Sequence, residues 1–218
     1  MSGDVLQFGL LSFVSIFTMV NPLPVVPVFL SMTAGIPVSQ AHRVAFRATV
    51  TALAVMVFFA LTGRFIFRFF NISLDAMRIV GGILFFGIGY EMLLGRPTRT
   101  KHDEESVAEY AEDIAITPLG TPMLSGPGTI TSVILLMNES GSLAERGALF
   151  GAMLAVAVLS YAILVGGQGL LTRLGTSGHK VITRIMGLIV MVIAVEFFFA
   201  GLRGMAKGFV AVAGGGGG

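Results

Sequence analysis

The stretch Ile114–Asn138, IAITPLGTPMLSGPGTITSVILLMN, constrains this chain more than any other. It carries no charge and is about as long as a bilayer span, which needs roughly 20 mostly apolar residues. Its middle nevertheless holds Pro118, Gly120, Pro122, Gly126, Pro127 and Gly128. Proline removes a backbone donor and collides with the preceding turn, while glycine permits turns that other residues resist. A continuous helix through PLGTPMLSGPG is therefore not expected. Interrupted backbone at membrane depth is tolerated only when it is buried in protein or lines a cavity. Such interruptions point to a transporter's binding site. The segment reads as a split helix with a site at the split.

The rest of the chain makes a bilayer its solvent. Of 218 residues 55% are hydrophobic and 12% charged, against about 25% charged in a soluble domain, and the mean hydropathy is +0.89. These values indicate an all-α polytopic membrane protein. The absence of cysteine excludes disulfides and thiolate metal sites, and a formal charge of +2 is too small to imply a nucleic-acid partner. Six apolar segments stand out: Val5–Met32, Val44–Phe69, Leu74–Leu94, Ile114–Asn138, Arg146–Leu171 and Val181–Leu202. The first has no basic leader and no small-residue cleavage site, so it is expected to remain as a span.

The joins are short except for Gly95–Asp113, which begins basic and turns acidic and reads as a solvated hinge. This divides the chain into a three-helix unit over residues 1–95, a linker over 96–113 and a second three-helix unit over 114–213. The glycine run 214–218 resembles a linker and is left out of the fold. With the N-terminus outside, eight Lys and Arg near span ends fall inside and six outside. That bias favours both termini outside and the 96–113 linker in the cytoplasm.

The two units match each other. A shift of about 105 positions lays Asn21-Pro22 over Gly126-Pro127, Arg68 over Arg173 and Glu91 over Glu196, and one more lays Arg78-Ile79-Val80-Gly81 over Arg184-Ile185-Met186-Gly187. Each unit has three spans, an odd number, so the second copy enters the membrane inverted. This predicts a 3+3 inverted repeat with helices 1 and 4 broken near mid-membrane. The first break falls at Asn21-Pro22-Leu23-Pro24-Val25-Val26-Pro27. Proline suits a first helical turn, so a half-helix is expected to begin at Pro22 with Asn21 as its N-cap. In span four, Ser125 is the expected cap of a half-helix starting at Pro127, with Thr129 one turn inside. A pair of proline kinks healed by neighbouring helices is the alternative.

A half-helix start presents free N–H groups and partial positive charge, which suit a carboxylate; a half-helix end presents carbonyls, which suit an ammonium group or a cation. Neither break contains an acidic or basic side chain. A small, neutral, zwitterionic solute fits that inventory. Glu91 and Glu196 are the carboxylates deepest in apolar runs, which makes them candidates for coupling transport to an ion; an interfacial or ion-paired role is the competing reading. Gly81-Gly82, Gly87, Gly89 and Gly147-xxx-Gly151 would permit close helix contact. His42, His102 and His179 lie in loops without metal-binding spacing, Ser125 is not in a nucleophile elbow, and no phosphate loop is present, so an enzyme is not expected.

At these residues the chain resembles the MarC family of six-span membrane proteins, which includes small neutral amino acid transporters. The resemblance rests on NPLPVVPVF (residues 21–29), AITPLGTP (115–122) followed by SGPGTI (125–130), and RIVGGIL (78–84). It extends from about Phe8 to Arg203, with one departure: Pro24 stands where the family pattern often has glycine. It implies movement of glycine, alanine and similar amino acids across a prokaryotic cytoplasmic membrane, coupled to a proton or sodium gradient, with no cofactor. The site residues it implies are Asn21, Pro22, Ser125, Gly126, Pro127, Gly128 and Thr129. A passive channel for small polar solutes and a non-transporting regulatory subunit are the rival readings, and oligomeric state is left open.

Overall fold

A stripe of small residues sets the packing of the longest undivided span. The computed structural model describes residues 2–34, 36–71, 73–94 and 111–214, and in it α3 (Val38–Phe69) buries Ala41, Ala45, Ala48, Ala52, Met56, Ala60 and Gly63. Phe46, Val50, Phe58, Leu61, Phe65 and Phe69 of the same helix face outward. Large apolar groups outside and alanines inside reverse the soluble pattern, as expected when lipid is the solvent and close backbone approach drives helix association. The arrangement repeats elsewhere: α4 exposes Val80, Ile83, Leu84 and Phe86 while burying Gly81 and Gly82.

The described residues are helical nearly throughout. In order they form α1 (Ser2–Val20), α2 (Pro22–Met32), α3, α4 (Leu74–Leu94), α5 (Ala111–Leu124), α6 (Pro127–Glu139) and α7 (Leu143–Gly214). The expected breaks in spans one and four are present: α1 and α2 meet at 41° and α5 and α6 at 61°. Counting each bent pair as one crossing gives up to six candidate membrane spans, and four without them. Residues 95–110, with Arg96, Arg99 and Lys101, and most of the glycine tail lie outside the described residues, while 111–113, expected in the linker, already belong to α5.

Two helix starts are fixed by their own sequence. The Ser73 hydroxyl accepts from the N–H of Ala76 at the head of α4. At the head of α7, Ser142 accepts from the N–H of Glu145, while the Glu145 carboxylate accepts from the N–H groups of Gly141 and Ser142. This reciprocal pairing is a capping box.

Spans five and six join in one helical run, α7, of 72 residues. Drawn straight it would extend about 108 Å, over three times a bilayer's hydrocarbon thickness. Its contacts forbid that. Ala148 touches Gly9, Met19 touches Gly128, Pro127 touches Gly81, and Gly82 touches Ala194. That chain of contacts separates Ala148 from Ala194 by at most about 50 Å, against about 70 Å along a straight helix. The run therefore bends, and its two apolar arms, Leu143–Gly167 and Thr183–Ala206, are separate candidate spans.

The arms have different neighbours. The first lies beside α1 and α2, with Gly9 at Ala148 and Val26 at Gly167, and its Tyr161 ring meets Phe46 of α3 edge-on at 6.2 Å. The second lies antiparallel to α4. A Cβ built on Gly82 would come within 2.7 Å of the Ala194 carbonyl, and one on Gly89 within 2.7 Å of the Gly187 carbonyl. Gly82, Gly89 and Gly187 are thus required by backbone contact. Gly87, Gly147 and Gly151, expected to serve the same end, face open space: a Cβ added to any of them would meet nothing within 4 Å. They take no part in packing among the described residues.

Candidate functional site at the paired helix breaks

The two breaks meet. A Cβ on Gly128, in the first turn of α6, would lie 3.3 Å from Met19 Sδ, in the last turn of α1. Pro22, Ser125, Pro127 and Thr129 are buried around this junction, whereas Asn21 is exposed. Gly126 and Gly128 are partly buried.

At the first break Asn21 adopts φ 41°, ψ 67°, a left-handed conformation that asparagine tolerates better than most residues. It occupies the position before α2 but makes no side-chain cap, which corrects the capping role expected of it. Its backbone N–H is already given to the Phe17 carbonyl. Pro22 and Pro24 have no N–H to offer. Of the usual orphan donors at a helix start, only that of Leu23 is left. The start of α2 is thus poor in donors. The end of α1 is not poor in acceptors, since a terminal turn leaves its last carbonyls without intrahelical partners.

The second break is longer than the sequence suggested. α5 is widened, with extended backbone at Thr117 (φ −133°, ψ 121°) and Thr121 (φ −137°, ψ 123°), each followed by a cis proline. The Gly120 carbonyl gathers the end of α5: it accepts from the Ser125 N–H at 3.0 Å and from Ser125 Oγ at 2.7 Å, and Thr121 Oγ1 lies 3.0 Å from the same hydroxyl. Gly120 fits there because a Cβ would come within 2.9 Å of both the Ala115 carbonyl and Thr51 of α3.

Ser125 therefore folds back onto α5 and does not cap α6, a second correction. The residue before α6 is Gly126, which carries no side-chain cap. Gly126 has an ordinary extended backbone, φ −74° and ψ 179°, so glycine is needed there for space alone: a Cβ would sit 2.6 Å from the Pro122 carbonyl. Thr129 Oγ1 donates to the Leu124 carbonyl across the break at 3.3 Å. The N–H groups of Gly128 and Thr129 fall in the first turn of α6, where intrahelical acceptors are lacking.

The heads of α4 and α7 are capped by side chains, and the uncapped head of α3 is exposed. The head of α6 is both uncapped and largely buried. It offers donors and partial positive charge beside the acceptor-rich end of α1.

Glu91 and Glu196 are exposed on α4 and α7 and are not brought to this junction. Glu196 lies 4.0 Å from Arg203, with both side chains over 70% exposed on the outside of the bundle. Elsewhere Arg47 of α3 pairs with Glu112 at the start of α5 at 2.6 Å. Among the described residues no cluster of His, Asp or Glu has the makings of a metal site. Sequence reading missed Met19, Gly120 and Thr121, of which the last two lie inside the motif already singled out.

An all-helical bundle with lipid-type packing and two interrupted crossings that touch defines a polytopic integral membrane protein. A family description, MarC family integral membrane protein, matches residues 6–206, and this chain belongs to that family. A UPF0056 membrane protein of Methanocaldococcus jannaschii, MJ1677, is 39% identical over 200 residues, covering 91% of this chain and 98% of the relative. Similar bacterial proteins include the UPF0056 membrane proteins YvbG of Bacillus subtilis, 34% identical over 88% of this chain and 93% of the relative, and YhcE of Escherichia coli, 31% identical over 91% and 93%. No solved structure matches the chain.

Proposed function

We propose that the chain is a secondary transporter of small neutral amino acids such as glycine and alanine, working by alternating access. The observation that carries this reading is the contact between the two breaks, with the uncapped head of α6 against the carbonyl end of α1. Donors and acceptors of the backbone stand side by side there, without a formal charge in either break. A zwitterion matches both halves at once; a net anion or cation would match one. The residues of the site are Asn21 and Pro22, which shape the first break, with Ser125, Gly126, Pro127, Gly128 and Thr129 of the second.

An inverted 3+3 repeat is part of the proposal, and the crossing of α4 with the second arm of α7 supports it. The RIVG match runs one residue out of this register, but the shift of 105 that pairs Glu91 with Glu196 carries Gly82 onto Gly187 and Gly89 onto Ala194. Those four residues are the ones that touch, as Gly82 with Ala194 and Gly89 with Gly187, so the crossing maps onto itself. An isologous contact of this kind is what a pseudo-two-fold axis generates. We place the protein in the prokaryotic cytoplasmic membrane with both termini outside, on the charge bias of its span ends, and assign it no enzymatic activity. Protons or sodium ions are the proposed coupling ions.

The test is uptake of labelled glycine and alanine into proteoliposomes, with and without imposed proton and sodium gradients. Accumulation above equilibrium under one gradient is the expected result and names the ion. Equilibration without a gradient would make the protein a channel. No flux from folded protein would end the amino acid reading.

A further inference from the structure

Ser160, in the first arm of α7, is 1% exposed and its Oγ has no hydrogen-bond partner among the described residues. Five other helical hydroxyls turn back to a carbonyl four residues earlier: Thr18 to Val14, Thr33 to Phe29, Thr49 to Ala45, Thr62 to Phe58 and Thr131 to Pro127, whereas Ser12 of α1, also buried, likewise has no partner among the described residues. Back-bonding of this kind satisfies a hydroxyl in an apolar setting without help from another element. Ser160 does not use it. A buried polar group left unpaired is uncommon and calls for a reason.

Its position supplies one. Gly9 meets Ala148 and Val26 meets Gly167, so α1–α2 and the first arm of α7 run side by side in the same direction. Ser160 precedes Gly167 by seven residues, two turns with about 20° of rotation left over, which places it on the same face and about 10 Å back along the axis. The same step back from Val26 along α1–α2 reaches Met19. Met19 is the residue that touches Gly128 of the second break. The orphan hydroxyl is thus level with the junction, on the α1 side, because α7 packs extensively on α1 and α2 and barely touches α6. Tyr161, next in sequence, is against Phe46 of α3, while Val158 and Leu159 face outward, so Ser160 lies on the inner face of this arm.

We infer that Ser160 completes the site and sets the direction in which the zwitterion lies. Its hydroxyl, together with the carbonyls that end α1, accepts from the α-ammonium group, while the carboxylate rests on the N–H groups of Gly128 and Thr129 that begin α6. This inference rests on the amino acid reading above and adds to it a third helix and a polarity. Both ends of the substrate then meet groups that have no other partner to give up.

The test uses the purified full-length chain, labelled glycine, and competition by unlabelled glycine, trimethylglycine (no N–H to donate) and glycinamide (no carboxylate). In the unsubstituted protein glycine should outcompete both analogues. Ser160→Ala should weaken glycine binding about tenfold, the size expected for a hydrogen bond to a charged group. It should narrow the glycine-to-trimethylglycine ratio by a similar factor and leave the glycine-to-glycinamide ratio unchanged. Its thermal midpoint without ligand should be equal or higher, because an unpaired buried hydroxyl has been removed; a merely structural serine would show the opposite. Unaltered glycine affinity in Ser160→Ala would overturn the assignment of Ser160 alone. Collapse of the glycinamide ratio instead would reverse the polarity and overturn the inference. Failure of the unsubstituted protein to bind glycine or alanine would overturn the transport reading with it.

Discussion

Two glycines two residues apart at the head of α6 should respond to substitution in opposite ways. A Cβ on Gly126 would lie 2.6 Å from the Pro122 carbonyl, about 0.8 Å inside ordinary contact. The obstacle is backbone, held in a loop whose end is tied by Ser125 to the Gly120 carbonyl. Gly126→Ala can be relieved only by moving that loop, and overpacking of this kind costs about 1–3 kcal/mol. The melting temperature should fall by on the order of 5 °C. A Cβ on Gly128 would be 3.3 Å from Met19 Sδ, the far end of a flexible side chain that is 51% exposed. Gly128→Ala should therefore shift stability by less than about 1 kcal/mol, and the gain in helix propensity works in its favour. Gly128→Leu should remain folded, because Met19 can swing outward, but its side chain occupies the gap between the breaks and should reduce binding of labelled alanine at least about 100-fold, some 2.7 kcal/mol. Thermal unfolding in detergent and equilibrium binding on the same preparations read both effects. Gly126→Ala as stable as the unsubstituted chain would refute the packing argument. Full alanine affinity in a folded Gly128→Leu protein would refute the placement of the site.

Three further outcomes follow from the same contacts. Glu91→Gln and Glu196→Gln should leave gradient-driven accumulation of alanine within about twofold, because both carboxylates are exposed away from the breaks; loss of coupling in either variant would restore it to the mechanism. Gly187→Leu should prevent α4 from docking on α7, since a Cβ there already falls 2.6 Å from the Leu93 backbone nitrogen; a cost above about 3 kcal/mol is expected, read as loss of monodisperse protein on size-exclusion chromatography. Breaking the Arg47–Glu112 pair by Arg47→Ala should cost under about 1 kcal/mol and less still at high salt, because the side chains are 42% and 56% exposed; a salt-independent loss in thermal unfolding would show that the pair is more than a surface contact.

Much of the fold was legible because membrane helices announce themselves by composition and by where they stop. The existence of the spans followed from long apolar runs, and the two breaks from Pro and Gly at positions no helix favours. The head of α7 was equally local, since Ser142 and Glu145 stand at the spacing of a capping box. What escaped was set by tertiary contact. Asn21 reads as a cap, but its left-handed backbone and exposed side chain give it none of that role. Ser125 reads as the cap of α6, but the Gly120 carbonyl wins its hydroxyl because α5 widens to bring that carbonyl within 2.7 Å. Gly147 and Gly151 carry the spacing of a packing motif and meet no other element among the described residues, and Gly187, which no packing motif marked, closes the crossing with Gly82 and Gly89, where close contact was expected. Nothing in the run around Ser160 distinguishes it from any serine in an apolar helix; only its burial, its lack of a partner among the described residues and its level with the breaks do so.

The two breaks are alike in position but opposite in what they expose, and the reason is in the prolines. Pro22 and Pro24 occupy two of the first three positions of α2, so the donors a helix start would present are mostly absent there. α6 has proline only at its first position, followed by Gly128 and Thr129, whose N–H groups are intact. Two donor-rich helix starts facing one junction would hold an anion and repel an ammonium group. Removing the donors from one of them leaves the carbonyl end of α1 as the dominant feature of that side. The junction thereby acquires a positive wall and a negative wall without a single charged residue. On the proposed reading an amino acid is gripped at both ends by such a site, yet no fixed counter-charge would hold it there if the helices moved apart, which is the balance that a carrier, in contrast to a storage site, requires.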